Sequence, residues 1–177
     1  AAAQAASLTF GAVTAATSVT ISGTNSLAVT GLVSMARPGG GGTSTIAVGT
    51  GTFTAGSLTM SATTAGRNNV LSIGASPGNA TISGTTTTSG VGSQFTFTGA
   101  GTLTFGGTVN LTGAPTLTTF ANSTVKYTGV AQTGIVANYS NLTLSGSGAK
   151  TFANFTAPNS VNGVLSIEGT ATVVATA

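Results

Sequence analysis

Asp, His, Cys and Trp are absent from this chain, and its 177 residues carry only four basic side chains and one acidic one. These are Arg37, Arg67, Lys126, Lys150 and Glu168. Without His, and with a single carboxylate, the usual general acid–base pairs cannot be assembled. The carboxylate pair of glycoside hydrolysis and the Ser-His-Asp triad are excluded on the same ground. Zinc requires Cys, His or carboxylate ligands, and calcium sites normally use more than one carboxylate, so no metal is expected. The spacing Ser-x-x-Lys occurs at Ser123 to Lys126 and at Ser147 to Lys150. It joins two side chains on a helix, whereas on a strand positions i and i+3 face opposite ways. Both copies lie in strand-like sequence, and the companion motifs of the Ser-Lys hydrolases are missing. The expectation is a protein that is not an enzyme and uses no cofactor.

Charge is scarce as well. Soluble domains devote roughly a quarter of their residues to charged side chains; here the fraction is 3%. The pI of 10.0 reflects missing acids and not a basic patch. The four cations are scattered, and phosphate recognition needs them clustered, so no nucleic acid is expected as a partner. Apolar runs of about twenty residues are also absent, which argues against a membrane span. A membrane barrel would show aromatic girdles, and aromatics make up 6%. Disordered chains combine low hydrophobicity with high net charge. This one has mean hydropathy +0.43 and net charge +3, so it should fold or collapse.

What is present is alternation. Ser18-Val-Thr-Ile21, Thr45-Ile-Ala-Val48, Val70-Leu-Ser-Ile73, Leu103-Thr-Phe105, Val125-Lys-Tyr127 and Leu142-Thr-Leu144 each place apolar residues on one side and Thr, Ser or another small or polar residue on the other. That is the pattern of half-buried strands, and β-branched Thr and Val suit the pleated backbone. Gly and small polar residues punctuate the strands every few positions. No segment repeats apolar residues at helical spacing. Residues 1–177 therefore read as a single all-β domain. Strands this short, with turns of a few residues, predict a parallel β-solenoid with rungs of roughly 20 residues. The alternative is a β-sandwich completed by a strand from a neighbouring subunit. Residues 35–43, with Pro38 and four consecutive glycines, read as an exposed loop, as do residues 64–69.

The segment Tyr127-Thr-Gly-Val-Ala-Gln132-Thr, continuing through Tyr139-Ser-Asn141-Leu-Thr-Leu-Ser-Gly-Ser-Gly-Ala-Lys150-Thr-Phe152, resembles a repeat of large secreted or surface-anchored bacterial proteins, often of Bacteroidetes-type lineages. Their pattern is approximately Tyr-x-Gly-x-x-Gln-Thr followed by Tyr-x-Asn-Leu-x-Leu-Ser-Gly-Ser-Gly-x-Lys-Thr. The resemblance implies an extracellular, adhesin-like β-solenoid and transfers no catalytic residue. An extracellular or cell-surface location also agrees with the sequons at Asn79, Asn110, Asn122, Asn138, Asn141 and Asn154, which are candidate N-glycosylation sites.

The ends suggest the function. Monomeric β-proteins guard exposed edges with charge, Pro or a cap, and solenoids need polar caps. Residues 1–22 and the tail from Gly169 carry no charge. They are expected to pair with another copy, through Leu8, Phe10, Val13, Val19 and Ile21 at one end and Val173 and Val174 at the other. The leading expectation is a structural subunit of an extracellular filament, fibre or surface layer, with itself as partner. A second is an adhesive module that binds surface glycans; Tyr127 and Tyr139 could serve it as stacking platforms, but the preferred reading is that both belong to the repeat's own packing. A third is ice binding by Thr-x-Thr units such as Thr102-Leu-Thr104 and Thr116-Leu-Thr118, although these recur at no fixed interval in the sequence.

Overall fold

The computed structural model describes residues 1–62, 64, 66–153 and 158–176. Within these residues the chain is all-β, without a helix, and winds into a parallel β-solenoid of about seven turns. The predicted fold class is therefore the one adopted, and the sandwich alternative is not.

Each full turn crosses three faces. The first contributes β1 (Ala2–Ala5), β2 (Leu8–Phe10) and β3 (Thr17–Ile21). In the second, β4 (Ser26–Met35) bends across two faces and β5 (Thr43–Val48) forms the third. The third repeats this with β6 (Thr52–Met60) and β7 (Asn68–Ile73). Then follow β8 (Asn79–Ile82), β9 (Thr86–Thr88) and β10 (Ser93–Phe97), and next β11 (Thr102–Phe105), β12 (Val109–Leu111) and β13 (Thr116–Thr118). The later turns contain β14 (Thr124–Tyr127) with β15 (Gln132–Thr133), β16 (Asn141–Leu144) with β17 (Ser147–Ala153), and β18 (Leu165–Ile167) with β19 (Thr170–Thr176). The first face runs β1-β4-β6-β8-β11-β14-β16-β18 and the third runs β3-β5-β7-β10-β13. All the named strand pairs are parallel.

Registry turns alternation into columns. Leu27, Phe53, Ala80, Leu103, Val125 and Leu142 are successive partners on the first face, and all point inward. Ile46, Leu71, Phe95 and Leu117 do the same on the third. Stacking apolar on apolar buries aliphatic side chains together with the rings of Phe53, Phe95 and Phe105, each large side chain worth about 1.5–3 kcal/mol when fully covered. The corner between the first two faces is glycine. A Cβ at Gly56 would sit 2.2 Å from the Thr30 carbonyl oxygen, one at Gly84 2.3 Å from that of Gly56, and one at Gly107 2.4 Å from that of Gly84. The chain turns too tightly here for any side chain.

The expected loops are smaller than the sequence suggested. Met35 is a fully buried end of β4, and Thr43 begins β5. Only the stretch between them is irregular, and within it Pro38 and Gly42 are buried while Gly40 and Gly41 are exposed. The Gly39 N–H donates to the Val13 carbonyl at 2.7 Å, fastening this loop to the first turn. Likewise Asn68 and Asn69 belong to β7, and buried Asn69 donates to the Met35 carbonyl at 2.7 Å.

Candidate functional site: open edges and a buried polar cluster

The end strands differ from the interior ones in having a neighbour on one side only. β1, β2 and β3 stand at one limit of the stack, and β18 and β19 at the other. At the far limit the alternation fails to bury its apolar members. Leu165 is 50% exposed and Ile167 54%, although both continue columns that are closed further in. Val173 and Val174 are 42% and 40% exposed. Leu144, Phe152, Val161, Leu165 and Val173 line a small apolar cleft there. Ala3, Val19, Ile21 and Leu27 line a second at the opposite end.

The candidate contact residues thus fall into two groups. Val173 and Val174 are partly exposed, and Leu8, Val13 and Val19 are half-buried. Phe10 and Ile21, at 4% and 5% exposure, lie in the chain's own core, because their side chains close the apolar column from the first turn. What these two leave available is backbone, not side chain.

The residues that carry the family resemblance meet in one place. Gln132 is buried and makes three hydrogen bonds. Its amide nitrogen donates to the carbonyls of Phe105 (2.8 Å) and Gly107 (2.7 Å), and its oxygen accepts from the Gly129 N–H (2.8 Å). Lys150, also fully buried, directs its ammonium at the carbonyls of Gly129 (2.5 Å), Val130 (2.9 Å) and Ser147 (3.2 Å). Burial lowers the pKa of this lysine, while the carbonyl dipoles give its protons somewhere to go. Tyr127 and Tyr139 are both buried with hydroxyls 3.3 Å apart. The Ile135 N–H donates to Tyr127 at 2.9 Å, and Tyr139 donates to the Ile135 carbonyl. Desolvation pushes Tyr127 up to about 12 and raises Tyr139 well above the ordinary phenol range. The rings of Phe105, Tyr127, Phe152 and Tyr139 follow one another at centroid distances of 5.2, 5.8 and 6.2 Å. Asn141 bridges three turns: it donates to the Ser123 carbonyl at 3.3 Å and accepts from the Val164 N–H at 2.9 Å.

Every one of these polar side chains completes a backbone group that a tight turn leaves unpaired. None presents chemistry to solvent. Ser147 meets Lys150 through its carbonyl and not its hydroxyl, so this Ser-x-x-Lys pair is a turn closure. Lys126 sits outward on β14, away from buried Ser123. Buried Tyr127 and Tyr139 cannot stack on a sugar, and Phe120 is the one exposed aromatic among the described residues. Of the sequon residues, Asn110, Asn122 and Asn138 are exposed, and Asn79 and Asn141 are half-buried. Asn154 lies outside the described residues.

Sequence reasoning missed the roles of Gln132 and Lys150. Their signal was a long polar side chain beginning or punctuating a strand, with a glycine two positions away, Gly134 and Gly148. Comparison of the chain with family models, curated proteins and solved structures finds no match. No helix among the described residues is long and apolar enough to cross a membrane.

Proposed function

We propose that this chain is a structural subunit of an extracellular filament, fibre or surface layer, in which copies stack end to end. The observation that supports the reading is the pair of open edges: each is an unpaired parallel strand, and at the C-terminal edge the apolar column of Leu165 and Ile167 is uncovered as well. An edge of this kind is completed by another rung of the same kind, and we assign that rung to a second copy. The two ends differ, so a contact between them is head-to-tail, and copies stacked along the solenoid axis extend as a filament where a lateral rotation would close a ring. Scarcity of charge fits, because nothing at either edge repels a copy. The candidate glycosylation sites and the resemblance to secreted repeat proteins support placement outside the cell.

Negative-stain microscopy of the purified 177-residue chain tests the proposal. Filaments one solenoid wide are expected. Removal of residues 1–13, which contain β1 and β2, is expected to leave only short or single particles. If assembly proceeds unchanged without them, the N-terminal strands are not the connector.

A further inference from the structure

The first face bears an ordered lattice of threonines that the stacking edges do not use. Its outward positions form two columns. Over β6, β8, β11, β14 and β16 one reads Thr52, Asn79, Thr102, Thr124, Asn141, and the other reads Thr54, Thr81, Thr104, Lys126, Thr143; towards the first turn they continue as Ser26 and Ala2 and as Ala28 and Gln4, and the second passes to Ser166 at the far end. In the sequence these units recur at uneven intervals, for the step from Thr52 to Asn79 is longer than that from Thr124 to Asn141. In space they are regular, because the turns absorb the difference and the strands stack in register. Neighbours within a column are about 4.8 Å apart and the two columns about 6.6 Å apart.

The threonine hydroxyls of these five strands are unengaged. Thr52, Thr54, Thr81, Thr102, Thr104 and Thr143 make no side-chain hydrogen bond. At the corners the opposite holds: Thr30, Thr50, Thr98 and Thr128 each donate to the carbonyl of a neighbouring turn. All ten positions of the lattice are half-buried. Packing between turns therefore holds each β-branched side chain in place, with χ1 already restricted. Across β6, β8, β11, β14 and β16 the face carries one charge, Lys126, and no carboxylate; Glu168 stands at its far end, where it accepts from the Ser166 hydroxyl at 2.8 Å. An ionic ligand finds nothing to pair with, and a sugar finds no aromatic platform. A neutral lattice of hydrogen-bond donors and acceptors is matched.

We propose that this face binds the surface of ice. Threonine methyls confine the adjacent water while the hydroxyls hydrogen-bond it, at spacings of the same order as the oxygen repeats of an ice plane. The third face lacks this order: its outward columns read Ser18, Thr45, Val70, Gln94, Thr116 and Thr20, Ala47, Ser72, Thr96, Thr118. The inference is independent of end-to-end assembly, since the lattice lies on the side of the stack.

Thermal hysteresis and inhibition of ice recrystallisation are the measurements, with circular dichroism as the check on folding. The wild-type chain is expected to show both. Thr81→Lys, which puts a second ammonium in a column that already accommodates Lys126, is expected to reduce hysteresis several-fold. Thr96→Lys on the third face is expected to leave it unchanged. Lys126→Thr completes the column and is expected to raise hysteresis. A folded wild-type chain with neither activity overturns the proposal, as does equal loss in the Thr81 and Thr96 variants or a fall in hysteresis with Lys126→Thr. Filament formation, read separately by microscopy, bears on the assembly proposal alone.

Discussion

Leu103 and Leu165 occupy the same column in the same registry, three strands apart along the first face, yet Leu103 is fully buried and Leu165 is 50% exposed. Their local sequences are alike, Thr-Leu-Thr-Phe and Val-Leu-Ser-Ile. The difference is the presence of a following rung. In a solenoid, burial is set by neighbours and not by the strand's own sequence. A terminal strand is therefore an interior strand without its cover.

The sharpest way to break the comparison is to change both residues alike. Leu103→Ala is expected to cost about 2–5 kcal/mol, the range for a buried leucine that leaves a cavity. Leu165→Ala is expected to cost a small fraction of that in chemical denaturation of the single particle, while weakening filament formation. Equal losses of stability would mean that Leu165 is already covered in solution.

The polar cluster gives the next largest effects. Lys150→Met keeps the apolar stem but leaves the Gly129 and Val130 carbonyls without their donor. A loss of about 1–3 kcal/mol per buried group left unpaired is expected. Gln132→Ala belongs in the same range. Both should destabilise the monomer. A variant that abolished filaments without changing unfolding would contradict the structural role assigned to these residues.

Alkaline titration is a gentler probe. Tyr127 is raised to about 12 from an unfolded value near 10, so its contribution to stability is complete below pH 10. That contribution is lost as pH climbs from about 10 to about 12, and Tyr139 shifts in the same direction. Lys150 has a lowered pKa and acts oppositely, gaining as pH rises towards 10.5. Urea midpoints should therefore stay nearly level from neutrality to about pH 9 and fall above 10.5. A steep fall at pH 8 would contradict the burial of the two phenols. The smallest effect expected is that of salt. With five charges in the chain, the amount of polymer should change little between low and moderate ionic strength, as sedimentation would show.

Much of the fold was legible because strand alternation is a local property. Ser18-Val-Thr-Ile21 and Leu142-Thr-Leu144 declare their inward residues without reference to anything distant. Registry was not legible, since it depends on turn lengths that vary between rungs. That is why the Thr-x-Thr units looked irregular in the sequence. The buried polar residues were hidden for a related reason. Asn69, Gln132 and Lys150 look like loop or surface residues until a neighbouring turn supplies the carbonyls they bind. Phe10 and Ile21 were assigned to subunit contact from their place near the start of the chain, yet the stack closes over their side chains even in its first turn.

The claim on which the rest depends is that an unfinished rung is completed by another copy. Sedimentation velocity of the purified chain over a wide concentration range, with microscopy of the same samples, measures it directly. The account predicts polymers that lengthen with concentration and shorten when residues 1–13 are removed. A single sharp boundary at monomer mass at every concentration would contradict it.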